Sequence, residues 1–228
     1  MTKALISYDD TLNDHDALAF GRLLGDAGVQ LVLAYVRHTT QAQRSREELE
    51  EHEAQALLER GARWLDDLDV ERRVVVSAST GQGLRWLAEH EAADIVVFGS
   101  DYRTPARRVS PQHSAQALLE GGPAAVAIAP ANFRAHRDAR IERIGVLSGA
   151  GDDSALSTAT DLADRLGASL TTADSACDLL VVGSRPEAQA GRVMITAQAQ
   201  NAIENARQPV LVVARGIALG FQEPHLAA

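Results

Sequence analysis

Lysine, cysteine and aromatic residues are all scarce in this chain, and each scarcity narrows what the protein can do. Lys3 is the one lysine among 22 basic residues, a skew toward arginine that runs through the whole chain and reads first as a composition bias. Cys177 is the one cysteine, which excludes an intramolecular disulfide and any cysteine metal cluster. Aromatics make up 4% of the residues, too few for base-stacking platforms on single-stranded nucleic acid. The net charge of −9 removes any general attraction to nucleic acid or to an anionic membrane. Long apolar runs are missing too: the longest are strand-sized, so no membrane span is expected. The opening "MTKALISYDD" meets acids at once and does not read as a signal peptide, so a cytoplasmic location is expected.

What the chain does have is a regular alternation. Its 228 residues, 46% apolar and 23% charged, suit a globular protein with a workable core. Short apolar runs alternate with helix-patterned segments, the signature of an α/β parallel sheet. "KALISY", "VQLVLAYV", "RRVVVSAS", "ADIVVFG" and "PAAVAIAP" read as five strands separated by helices. "ANFRAHRDAR" then reads as a polar linker, and the pattern restarts. "RIGVLS" parallels "KALISY", "CDLLVVGS" parallels "ADIVVFGS", and "AQNAIENARQPVLVVA" parallels "AQALLEGGPAAVAIA". This is an internal domain repeat, and the second copy is abbreviated. About five residues separate "SLTTA" from "DLLVVG", where the first copy holds two helices and a strand. The expected organisation is a complete domain over 1–132, a linker over 133–140, a truncated domain over 141–216 and a tail over 217–228.

The stretch "VVFGSDYRTPARRVSPQHSAQALL" starts like a phosphate-binding turn and then departs from one. Glycines let a loop reach positive φ and bring amides against phosphate oxygens. After Gly99 and Ser100 come Tyr102, Pro105 and Pro111, which restrict that geometry, and three arginines, Arg103, Arg107 and Arg108. Guanidinium groups there are able to replace amides as phosphate contacts; the competing reading is an exposed basic loop beside Asp101.

The repeat, the strand ends "DIVVFGS" and "DLLVVGS" and the closing "PVLVVA" resemble the universal stress protein family. The resemblance covers residues 3–130 and, as a shortened copy, 141–215. It implies an adenine-nucleotide-hydrolase-like, Rossmann-like fold with strand order 3-2-1-4-5 in the first domain. It also implies a motif G-x2-G-x9-G followed by Ser or Thr. Gly99 starts that motif here, with Tyr102, Gln112 and His113 at the following positions; Gly183, Pro186, Thr196 and Ala197 occupy them in the second copy. By the same resemblance, Asp9 matches an aspartate near adenine and ribose, replaced by Gly149 in the second copy, and Val36 matches an adenine-contacting valine. The implied ligand is ATP or another adenine nucleotide, held in the first domain by Asp9, Val36, Gly99, Ser100, Arg103, Gln112, His113 and Ser114. The second pocket is expected to be empty. The family also pairs fifth strands edge to edge, so "AAVAIA" and "PVLVVA" are expected to meet within one chain, with a further homodimer allowed.

Other features weigh less. Asp9, Asp10, Asp14, His15 and Asp16 offer metal-binding oxygens, but acids at a helix start more often serve capping. His113 between Ser110 and Ser114 lacks an identifiable third member for a triad. "TGQG" at 80–83 reads as a turn, Cys177 as a small buried hydrophobe, and Trp64 and Trp86 as core or domain-contact residues. The expected function is a non-enzymatic stress-response or ligand-sensing module. The alternatives are a slow ATP-hydrolysing or nucleotidyl-transferring enzyme, and a structural interaction protein with both pockets closed.

Overall fold

The computed structural model describes residues 1–38, 47–67, 70–136 and 138–221. The first copy runs β1 (Lys3–Ser7), α1 (Leu12–Asp26), β2 (Gln30–His38), α2 (Glu47–Trp64), β3 (Glu71–Ser77), α3 (Thr80–His90), β4 (Ile95–Gly99), α4 (His113–Leu119) and β5 (Ala125–Ala129). The second runs β6 (Arg143–Leu147), α5 (Ser154–Leu166), β7 (Ser169–Thr172), β8 (Leu179–Val182), α6 (Ala197–Asn205) and β9 (Val210–Val212). The "TGQG" glycines lie in the first turn of α3, capped by Ser79, and not in a free turn. Gly81 packs there against the Ala117 and Ser114 region of α4, and Gly83 lies over Val36, where a Cβ would stand 2.7 Å from Cγ1.

All described strands join one nine-stranded sheet in the order β3-β2-β1-β4-β5-β9-β8-β6-β7. The first copy therefore has the expected 3-2-1-4-5 order. The second has the counterpart 2-1-4-5, lacking the edge strand, because only residues 173–178 separate β7 from β8. Helices cover both faces, which is why the central strands read as continuous apolar runs. Alternate residues divide between two layers: Ile6, Val97, Ala127, Leu211 and Val181 face one, and Leu5, Phe98, Ile128, Val210 and Leu180 face the other. Each layer contains residues of both copies, so the truncated half shares its core with the complete one.

The copies join through their fifth strands. β5 and β9 pair antiparallel, with Val126 opposite Val212, Ala127 opposite Leu211 and Ile128 opposite Val210. Ala127 and Leu211 are equivalent residues of the repeat, so a local two-fold axis passes between them. Val126, Ile128, Val210 and Val212 are all fully buried. At about 1.5–3 kcal/mol per buried side chain, this seam is comparable to the ~5–15 kcal/mol margin of a whole domain.

The segments outside the strands and helices are held as well. Residues 133–135 form a single 3-10 turn, and Phe133 meets the Phe20 ring edge-on at 6.5 Å. Residues 217–221 run along α5: Leu219 N–H donates to Thr158 Oγ1 at 3.0 Å, Phe221 N–H donates to Asp161, and Thr2 Oγ1 donates to the Gly220 carbonyl. Trp64 packs against the core, whereas Trp86 is 49% exposed and stacks on His90 one helical turn later. Trp86 is therefore not a core residue.

Candidate functional site

β1 lies between β2 and β4, both parallel to it, so the order of strand addition reverses at its carboxyl end, where α/β sheets leave a crevice for ligands. Asp9, Val36 and Gly99 follow or end these three strands. The acids after β1 have separate roles. Thr11 caps α1, and Asp14 completes a capping box, its Oδ2 accepting from Asp9 N–H at 3.0 Å, Thr11 N–H at 3.1 Å and Thr11 Oγ1 at 2.7 Å. Asp10, with φ 57°, accepts from Tyr8 Oη at 2.8 Å and Arg60 Nε at 2.6 Å, with His15 Nε2 at 3.4 Å. Asp16 is fully buried and holds the segment after β5 through Asn132 N–H, Arg134 N–H and Arg134 Nη1. Among the described residues no group of three or more His, Cys, Asp or Glu side chains is placed to hold a metal.

Asp9 is the exception. Its carboxylate is exposed and has no hydrogen-bond partner among the described residues. Its pKa lies above the ordinary aspartate value, first because partial burial desolvates the charge and then because Asp14 is close; His38 acts in the opposite direction. Val36 is buried, covered by α3 at Gly83. Gly99 abuts the Asn13 carbonyl, and a Cβ there would overlap it.

The rest of the expected ligand set divides. Ser100 is buried; its hydroxyl donates to the Ala129 carbonyl at 2.7 Å and accepts from Ser110 N–H at 3.2 Å. A hydroxyl has one proton, so this group closes the loop onto β5 and has none left for a ligand. Gln112 is the N-cap of α4 without a side-chain capping bond, and His113 opens that helix exposed to solvent, with Ser114 beside it. Tyr102 is 70% exposed, so it does not fill the space beyond β4, and Arg103 lies over its ring at 4.9 Å. The three loop arginines do not converge. Arg108 Nη1 reaches across to the Asn205 carbonyl at 3.4 Å, and Arg107 lines a cleft with Pro130, Phe133 and Arg207. Asp101 binds the loop backbone, accepting Arg103 N–H at 2.9 Å.

The second copy repeats this loop without gaps, at an offset of 84 residues from 99/183 to 131/215. Ser184 Oγ donates to the Val213 carbonyl at 2.7 Å and accepts from Met194 N–H at 3.2 Å, matching Ser100 in geometry and spacing. The loops also exchange bonds: Val109 N–H donates to the Ala206 carbonyl at 3.3 Å, and the equivalent Val193 N–H to the Gly122 carbonyl at 3.0 Å. At the lip, however, the copies differ. A Cβ on Gly149, the counterpart of Asp9, would overlap the Ser184 carbonyl, and one on Gly183 would stand 2.7 Å from Gly149 N. Backbone occupies the second copy's lip, leaving no room for a side chain like that of Asp9. Sequence reasoning missed the loop serine's role, although the coincidence of Ser100 and Ser184 in both copies was a visible signal.

Two parallel-sheet α/β units, the first of order 3-2-1-4-5 and the second shorter, joined through their fifth strands within one chain, define the class. No sequence-family profile and no curated protein sequence matches the chain. Among solved structures, it is similar to a universal stress protein from Archaeoglobus fulgidus, with 13% identity, 94% of this chain and 98% of that chain covered, and a TM-score of 0.71. A putative universal stress protein from Pseudomonas aeruginosa aligns over 93% of both chains with 14% identity and a TM-score of 0.62. A protein of unknown function from the same species aligns at 14% identity over 94% of this chain and 93% of its own, with a TM-score of 0.61. The fold is that of the tandem universal stress proteins.

Proposed function

We propose that this chain is a non-catalytic, ligand-responsive module of the universal stress protein type. Its first half takes an adenine nucleotide at the lip beside Asp9, over the carboxyl ends of β1, β2 and β4, and its second half serves as a structural mate. The observation that carries this reading is the asymmetry between the lips. Asp9 presents an unpartnered carboxylate at the sheet's switch point, suited to accepting ribose hydroxyls, while backbone shuts the equivalent place at Gly149. In this reading side-chain donors of Gln112, His113, Ser114 and Arg103 take the place of a glycine loop's amides at the phosphates. Binding alone is asked of this arrangement; the signal is the stabilisation that ligand confers on the folded state.

The test is thermal stability of the purified chain with ATP, ADP, AMP or cyclic AMP. A saturable rise in melting temperature that disappears in Asp9→Ala supports the reading. No shift at millimolar nucleotide overturns it in favour of a structural interaction protein. Steady phosphate release through repeated purification, lost in His113→Ala, would favour the enzymatic alternative.

A further inference from the structure

The antiparallel seam brings the carboxyl end of β5 beside the amino ends of β8 and β9, and residues 130–136 and 138–140 lie at that junction. Beneath it lies a cleft of about 570 Å³ lined by residues of both copies and of the connecting segment. Among the described residues three guanidinium groups border it: Arg107 from the first loop, Arg140 from the connecting segment and Arg207 from the approach to β9. All three residues are exposed, and none makes an ion pair among the described residues. Two aspartates also line the cleft. Asp178 already accepts Glu142 N–H at 3.2 Å and Arg143 N–H at 2.9 Å, with Arg143 Nη2 at 3.7 Å, so its charge is largely spent. Asp138 is the remaining carboxylate. On a chain of net charge −9, this is a locally positive concavity at the junction of two domains, a usual location for ligands.

A second observation concerns Arg107 itself. It has φ 61°, a left-handed conformation unfavourable for an arginine, while its repeat equivalent Gly191 has φ 74°. Both hold the same backbone bond, Arg107 N–H to the Ala131 carbonyl at 2.8 Å and Gly191 N–H to the Arg215 carbonyl at 2.8 Å. The turn is satisfied by glycine in one copy and carries an arginine in the other, where the side chain lines the cleft. Backbone strain retained where glycine would serve points to a use for the side chain.

We infer that this junction cleft is an anion site for a small ligand carrying more than one phosphoryl group, distinct from the lip at Asp9. Guanidinium groups from three separate segments provide charge-assisted hydrogen bonds to several phosphoryl oxygens at once. Occupancy would tie the connecting segment to both copies.

Titration calorimetry with inorganic tripolyphosphate at low salt tests the site. Single-site, saturable binding is expected, at least tenfold weaker in Arg207→Gln and in Arg107→Gly, and unchanged in Arg63→Gln, an exposed arginine on α2. Arg107→Gly is informative because it relieves the backbone while removing the guanidinium, so lost binding does not reflect lost folding. Asp138→Asn is expected to tighten binding several-fold. Absence of binding at millimolar tripolyphosphate, retention within twofold in both cleft variants, or an equal loss in Arg63→Gln would overturn the inference.

Discussion

Arg134 Nη1 stands 3.0 Å from Oδ1 of Asp16, joining residues 118 positions apart and tying the segment after β5 back onto α1. The carboxylate is almost wholly buried and also accepts Asn132 N–H at 2.8 Å and Arg134 N–H at 2.9 Å. What reads as a polar linker is thus ordered by one buried acid, and the second copy finds its own version. Asp152 Oδ2 accepts Gly216 N–H at 3.1 Å, and residue 216 is the repeat equivalent of residue 132.

Removing that acid should be costly. Asp16→Ala leaves two amides and a guanidinium without their acceptor, and a loss of about 3–5 kcal/mol is expected. Arg134→Ala leaves both amide bonds in place but strands the buried Asp16 carboxylate without its counter-charge, so a loss of similar size is expected. Urea unfolding of both variants checks this; a loss below ~1 kcal/mol for Asp16→Ala would show that the segment is held by packing at Phe133.

The two loop serines make a matched experiment. Ser100→Ala and Ser184→Ala should each cost about 1–3 kcal/mol, because each strands a buried carbonyl and an amide in the same geometry. Similar values in denaturant titrations are expected from the shared pattern. If Ser100→Ala instead left stability intact and abolished nucleotide-induced stabilisation, Ser100 would be a ligand contact and its structural role would be wrong.

Arg107 and Gly191 should respond in opposite directions. Arg107→Gly relieves a left-handed arginine and is expected to stabilise by roughly 0.5–1 kcal/mol, after allowing for glycine's extra unfolded freedom. Gly191→Ala places a Cβ at φ 74° and should destabilise by about 1–2 kcal/mol. Melting curves of the two single variants decide the matter.

Asp9 introduces a pH dependence. Its pKa is raised in the folded state, first by desolvation and then by Asp14, so folding favours its protonated form. Its stabilising contribution is present below the unfolded aspartate value and is lost as pH rises through the folded one. Asp9→Asn should therefore be more stable than the parent chain at neutral pH, with the difference vanishing in acid. A pH series of melting temperatures measures this, and a difference that grows toward acid would contradict the assignment.

How far the sequence is legible varies element by element. The apolar runs of β1, β4, β5, β8 and β9 were plain because strands covered on both faces carry no polar alternation to confuse them. The truncation was legible as a missing interval between "SLTTA" and "DLLVVG", and the pairing of β5 with β9 was expected from the family resemblance, which says how two apolar edges that must be covered are covered. "TGQG" misled because paired glycines usually mark turns, whereas here Gly83 lets the first turn of α3 lie close over Val36 of β2. Trp86 misled because its helical spacing says nothing about which neighbour covers it. Ser100 sits in a strand end that resembles a phosphate turn, and only the position of Ala129 opposite its hydroxyl shows that the group is already satisfied.

By itself, the sequence determined the two-copy organisation, the strands and the loss of the phosphate-loop glycines, because apolar periodicity, repeat spacing and residue type are local properties. Tertiary structure alone decided where the charges went. Five acidic or basic neighbours after β1 were indistinguishable in sequence, yet burial and hydrogen-bond partners from distant segments gave Asp14 to a helix cap, Asp16 to residues 132–134 and Asp9 to an open lip. The three arginines of one loop likewise separated toward Tyr102, Asn205 and the junction cleft. A side chain's electrostatic role depends on which groups folding brings within about 3 Å of it, and that information is carried by the packing of remote segments.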